Sequence, residues 1–159
     1  MDLFFSFDGR IARGRWWLGV IGLFIVLLVL NIIIMTLFGT GFFGGLLTFL
    51  LSLAALYPAI ALATKRLADR GKPAMPRVAF FFGPGLLLSL MATFNIGYRP
   101  MDMSQMEGMP PGQAGEIMVP GMLAGIIGFI SLIAFVWALI ELGILKGDKD
   151  ANAYGPPPA

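Results

Sequence analysis

The sequence predicts an all-α integral membrane bundle of about four transmembrane helices, with both termini on the cytoplasmic side. Three observations carry this. The 159 residues are 58% hydrophobic and only 13% charged, and the mean hydropathy is +0.86. A soluble domain is usually about 45–50% apolar and about 25% charged, so a water-facing surface cannot be built from so few charges. The uncharged runs are each long enough to cross about 30 Å of hydrocarbon. Ten of the eleven Lys and Arg residues fall on one side of the predicted membrane, which is the positive-inside pattern.

Residues 16–64 carry no charge and are too long for one crossing. Glycines at Gly39, Gly41, Gly44 and Gly45 place a turn near the middle. The first span is therefore expected over 16–38 and the second over 42–64. The third uncharged run and span is 78–98; the fourth run is 117–140, its span continuing to 145. The segment Leu23–Leu30 shows no apolar–polar alternation, so a barrel strand is excluded. The whole chain, 1–159, reads as a single membrane domain.

Between the spans lie a basic cytoplasmic loop (65–77), an external loop rich in Met, Pro and Gly (99–116), and a cytoplasmic tail (146–159). The external loop is expected to lack regular structure, and the proline-rich end of the tail to be extended. Gly83-Pro84-Gly85 is a candidate kink in the third span. The Gly41/Gly45 and Gly121/Gly125 spacings are candidate close-packing sites, either within the bundle or with a second subunit. Asn31, Ser52, Ser89 and Ser131 are scattered and suit hydrogen bonds between helices.

Cysteine and histidine are absent. Disulfides, Cys/His zinc sites and catalytic pairs built on His or Cys are thereby excluded. No cofactor is expected. Near the end of span two, Asp69 is three residues from Arg66 and four from Lys65, so on a helix it can pair with either. Gly71 and Pro73 mark the helix stop. The loop reads as a topology signal with a local ion pair, or as a site for anionic lipid headgroups or a phosphorylated ligand. Glu141, the acid within span four, reads as a partner for a cation of the 65–77 loop, or as an ion-coupling group. Met101, Met103, Met106 and Met109 are spaced as soft thioether ligands for Cu(I), or are flexible apolar filler.

Three separated motifs resemble one bacterial inner-membrane family, DUF805. They are Phe7-Asp8-Gly9-Arg10-Ile11-Ala12-Arg13 followed by Trp16-Trp17; Pro58 with Lys65-Arg66-Leu67-Ala68-Asp69-Arg70-Gly71; and Gly147, Asn152, Tyr154-Gly155 and Pro157. The chain departs from the family pattern at Ala68, where histidine is frequent, and over 72–77, where a tryptophan pair often follows. The resemblance implies a multi-pass protein of the bacterial inner membrane and leaves its function unknown.

All three motifs fall at predicted cytoplasmic span ends. Arg10, Arg13, Lys65, Arg66, Asp69, Asn152 and Tyr154 are therefore expected to form one interfacial cluster. Arg66 or Arg10 should pair with Asp69 while the tail docks through Asn152 and Tyr154. As a partly screened pair it would contribute about 1 kcal/mol. The function expected is non-enzymatic: a structural or accessory protein binding partner membrane proteins or lipids through this face. A small transporter or ion-handling protein is the alternative. Expected partners are the bilayer and other inner-membrane proteins or a second copy, and not nucleic acid.

Overall fold

A computed structural model of the chain describes residues 2–101 and 118–158. The chain is mostly helical. A short helix α1 (Asp2–Phe5) precedes the long α2 (Arg13–Phe38) and α3 (Phe42–Asp69). Helix α4 (Arg77–Thr93) follows, then strands β1 (Tyr98–Pro100) and β2 (Met118–Pro120), and then α5 (Met122–Ala138). Helix α5 runs on into a π-helical segment, Leu139–Ile144. Among the described residues, three helices are long and apolar enough to cross a membrane: α2, α3, and α5 with its π-helical extension.

Neighbours in sequence are neighbours in space: α2 packs on α3, α3 on α4, and α4 on α5. Helix α2 meets the last helix through the π-helical segment. The surface is what lipid as solvent requires. Leu18, Phe24, Leu37, Phe43 and Met122 all point outward at more than 60% exposure. The main buried core lies at the end where the charges gather: Ile11, Trp16, Leu62, Leu67, Val78, Phe81 and Leu142 pack together there.

The third and fourth apolar runs are shorter as helices than hydropathy suggests. Helix α4 stops at Thr93 because Asn95 and Gly97 adopt positive φ, and the Ile96 N–H turns back to the Met91 carbonyl at 2.8 Å. Residues 98–100 pair antiparallel with 118–120, Arg99 opposite Val119. The expectation of irregular chain from residue 99 is corrected there, and the fourth helix begins only after Pro120-Gly121. Asparagine and glycine are helix-ending residues, a signal outweighed by the length of the apolar run. Helix α4 continues unbroken through Gly83-Pro84-Gly85. Of the paired glycines, Gly121 makes a close approach within the chain, a Cβ there lying 2.7 Å from the Gly97 carbonyl oxygen, whereas a Cβ at Gly41, Gly45 or Gly125 would meet nothing within 4 Å. Ser52 and Ser131 bond within their own helices, to the Phe49 and Ile127 carbonyls.

Helix α3 ends as its sequence predicts. The Gly71 N–H donates to the Ala68 carbonyl (3.1 Å) and the Lys72 N–H to the Leu67 carbonyl (3.0 Å). This is the paired closure of a helix on a left-handed residue, and Gly71 has φ +63°. A Cβ there would also lie 2.8 Å from the Asp148 carboxylate. Gly71→Ala should lower stability by about 1–2 kcal/mol from the backbone alone. Thermal unfolding in detergent measures it, and an unchanged midpoint would refute this account of the helix end.

Candidate functional site

Because three residues bring side chains to one face of a helix, Arg66 and Asp69 emerge together from the last turn of α3. The N-terminal segment crosses that turn, its Ile11 N–H reaching the Lys65 carbonyl at 3.4 Å. This crossing delivers Arg10. One Asp69 carboxylate oxygen accepts from Nε and Nη2 of Arg10, at 3.2 and 3.1 Å. The other accepts from Nη1 of Arg66. The side chains of Arg10, Asp69 and Arg66 are 1%, 4% and 0% exposed. The pairing expected with Arg66 or Arg10 is thus made with both. It is buried rather than interfacial and partly screened, which corrects the expected setting of the pair.

Arg10 has more donors than one carboxylate can use, and the tail takes the rest. Its Nη1 donates to the carbonyls of Asp150 (3.0 Å) and Gly155 (2.9 Å), and its Nη2 to that of Asp148 (2.7 Å). The Asp148 N–H returns a bond to the Asp69 carbonyl at 2.8 Å. Asn152 Nδ2 donates to the Ala68 carbonyl (3.0 Å) and to the Asp148 carboxylate (2.8 Å). Its Oδ1 accepts from the Tyr154 N–H at 2.9 Å, and Asn152 and Gly155 exchange backbone bonds across a tight turn. Gly147 is where the tail passes over Asp69, and a Cβ at Gly147 would collide with that carboxylate.

A second set of bonds closes the last helix. The final carbonyls of a helix lack intrahelical partners and carry the negative end of its dipole. Here every carbonyl from residue 141 to 145 receives a side-chain N–H. Arg70 serves Glu141 at 2.9 Å, Arg66 serves Leu142 at 2.9 Å, and Trp17 serves Gly143 at 3.1 Å. Arg13 serves Ile144 at 3.0 Å, and a second nitrogen of Arg66 serves Leu145. Arg66 therefore joins the carboxylate network to the carbonyl clamp.

The remaining residues singled out by sequence divide. Glu141 pairs with Arg70 and with Lys72 (2.8 Å), cations of the basic loop. Lys65 does not reach Asp69; it is buried, and its Nζ donates to the Leu3 carbonyl of α1 at 3.2 Å. Tyr154 docks only through its backbone, its side chain being left exposed. Met101 is half-buried after β1, while Met103, Met106 and Met109 lie outside the described residues. The roles of Trp17 and Arg70 toward the carbonyls were missed. Their types, a Trp and a cation beside span ends, were visible, but a backbone acceptor some 70 to 130 residues away leaves no local pattern.

The family model described as a protein of unknown function, DUF805, matches residues 4–156. That range includes every member of the cluster. No curated protein and no solved structure matches the chain.

Removing one member of a buried ionic set leaves the others uncompensated, at about 3–5 kcal/mol. Asp69→Ala should therefore destabilise the protein by that amount, read from thermal unfolding in detergent. Arg10→Lys keeps the charge and loses the fork. It should leave the helices folded while protease cuts within 147–158 several times faster. Equal cleavage of variant and wild type would show that Arg10 does not hold the tail.

Proposed function

The chain belongs to the DUF805 family of proteins of unknown function, and we propose that it acts without catalysis, as an inner-membrane accessory protein whose cytoplasmic motif face receives partner membrane proteins or lipids. One observation carries this reading. The buried motif side chains are engaged with one another: Arg10, Arg66 and Asp69 form one saturated network with the tail carbonyls. A reacting or transported group needs access that such a network denies. A preassembled, rigid helix end is what a docking surface needs. Within the motif set, Arg13 and Tyr154 are exposed and serve as contact residues, with Arg15, Lys146 and Lys149 as an exposed cationic rim. Arg10, Arg66, Asp69 and Asn152 build the face that presents them. Glu141 sits in ion pairs with Arg70 and Lys72, which favours a structural role for it over ion coupling and leaves transport as the second reading.

The proposal includes four crossings with both termini in the cytoplasm. Arg10 binds the carbonyls of Asp148, Asp150 and Gly155, so the two ends of the chain meet on one side. That supports an even number of crossings. Three helices have full spanning length, so α4 supplies the fourth. Its 17 residues lie at the lower limit for a span. The distribution of Lys and Arg supports the orientation.

Reporter fusions at residue 72 and at the C-terminus should read cytoplasmic, and one at 108 external; a cytoplasmic reading at 108 would overturn the four-span reading. For the docking face, a photo-crosslinking residue at Tyr154 should capture a discrete protein or lipid adduct in native membranes. The same probe at Ile25, on the exposed side of α2, should give only diffuse labelling. Indistinguishable patterns at the two positions would sink the docking proposal.

A further inference from the structure

Helices α2 and α5 converge at the π-helical segment, and beneath that junction they frame a cleft of about 290 Å³. Every residue lining it is apolar. Trp16, Val20 and Leu27 form one wall, Phe135 and Leu139 the other, and Leu62 part of the floor. Along α2 the lining runs from Trp16 to Leu27, about 16 Å at the helical rise. Just beyond its charged end lies a second depression of about 300 Å³, lined by Arg13, Arg66, Lys146 and Lys149 with Asp69 and Asp148. Asp69 is already neutralised by two arginines, and Asp148, whose carboxylate accepts from Asn152, leaves one negative charge against the three cations Arg13, Lys146 and Lys149. Lys146 and Lys149 form no ion pair among the described residues. The two hollows adjoin along the chain on both walls: Arg13 is one helical turn before Trp16 on α2, and Lys146 follows Leu142 by four residues, just past the end of the π-helical segment.

We propose that they form one binding site for a phospholipid with an anionic headgroup, its phosphate against Arg13, Lys146 and Lys149 and one acyl chain in the cleft between α2 and α5. The inference rests on the docking reading above and names a ligand for that face. Charge complementarity selects the occupant: cations stand at the mouth of a wholly apolar slot, matching one molecule with an anion at one end and a hydrocarbon chain at the other. A transmembrane helix, about 10–12 Å across, is too wide for this volume. A ligand without a chain would leave the slot unfilled. The seam between the hollows carries the Arg13–Ile144 and Trp17–Gly143 hydrogen bonds. The polar glycerol ester region would lie over that sill.

The test is native mass spectrometry of the full chain, delipidated in mild detergent, with equal amounts of dioleoyl phosphatidylglycerol and dioleoyl phosphatidylcholine. Wild type should retain one phosphatidylglycerol with a preference of roughly tenfold or more, as expected for a few cations near an anionic lipid. Lys146→Gln with Lys149→Gln should remove most of that preference at unchanged thermal stability, because both side chains are exposed. Ala138 also lines the cleft, and Ala138→Phe, which fills it, should reduce retention of both lipids; undiminished retention would overturn the site. Excess glycerol 3-phosphate, the headgroup without chains, should not displace the bound lipid. Equal retention of the two lipids by wild type, an undiminished preference in the double variant, or displacement by glycerol 3-phosphate would each overturn the site. Discrete Tyr154 adducts persisting alongside such a result would show that the lipid site alone has failed; their absence as well would show that the docking reading has failed too.

Discussion

The Asp69 carboxylate sits between the guanidinium groups of Arg10 and Arg66 at a depth where all three side chains are nearly inaccessible. Two cations and one anion leave a net positive charge there. Burying it is tolerable only if the remaining N–H groups find acceptors. Those acceptors are backbone carbonyls of the tail and of the last helix. The central ion pair thus dictates the course of the chain around it. The tail must return to Arg10, and the last helix must end against Arg66.

The clamp on the last helix follows from the same constraint. The C-terminal end of a helix presents unpaired carbonyls together with the negative end of its dipole. Arginine is suited to meet them because its planar fork serves more than one acceptor. Arg66 uses this fully, bonding one carboxylate and two carbonyls from a position with no exposure. The adjoining core of Trp16, Leu62, Leu67 and Leu142 holds the donor helices in register. Below it α2 and α5 are not drawn together by polar groups, and a cleft remains.

Much of the fold was legible because lipid imposes simple rules. The end of α2 and the start of α3 follow from the glycine break in the uncharged run, and the end of α3 from Gly71, while α2 begins one turn earlier than that run, at Arg13. The site was legible in its membership but not in its wiring. Arg66 and Asp69 are neighbours on a helix, so their contact follows from spacing. That Arg10 binds the same carboxylate, and that Gly147 is required where the tail crosses it, depends on segments brought together from the two ends of the chain. Lys65 and Tyr154 were grouped with the cluster on charge and proximity. Direction decided otherwise: Lys65 points to α1, and the Tyr154 side chain points outward. At the other end of the bundle, hydropathy overran the helix stop at Asn95 and Gly97, because an average over apolar residues does not register backbone conformation.

By itself the sequence determined which segments are apolar enough to cross a membrane, and that the charges concentrate at their ends. These are properties of local composition, and transfer into lipid depends on composition. Only the tertiary structure decided which cations are spent inside the molecule and which remain on its surface. Arg10 and Arg66 look no different from Arg13 and Arg15 in the sequence, yet the first pair is buried and bonded while the second is exposed. The difference lies in which guanidinium reaches the Asp69 carboxylate. That is a matter of distance and direction, which no linear pattern specifies.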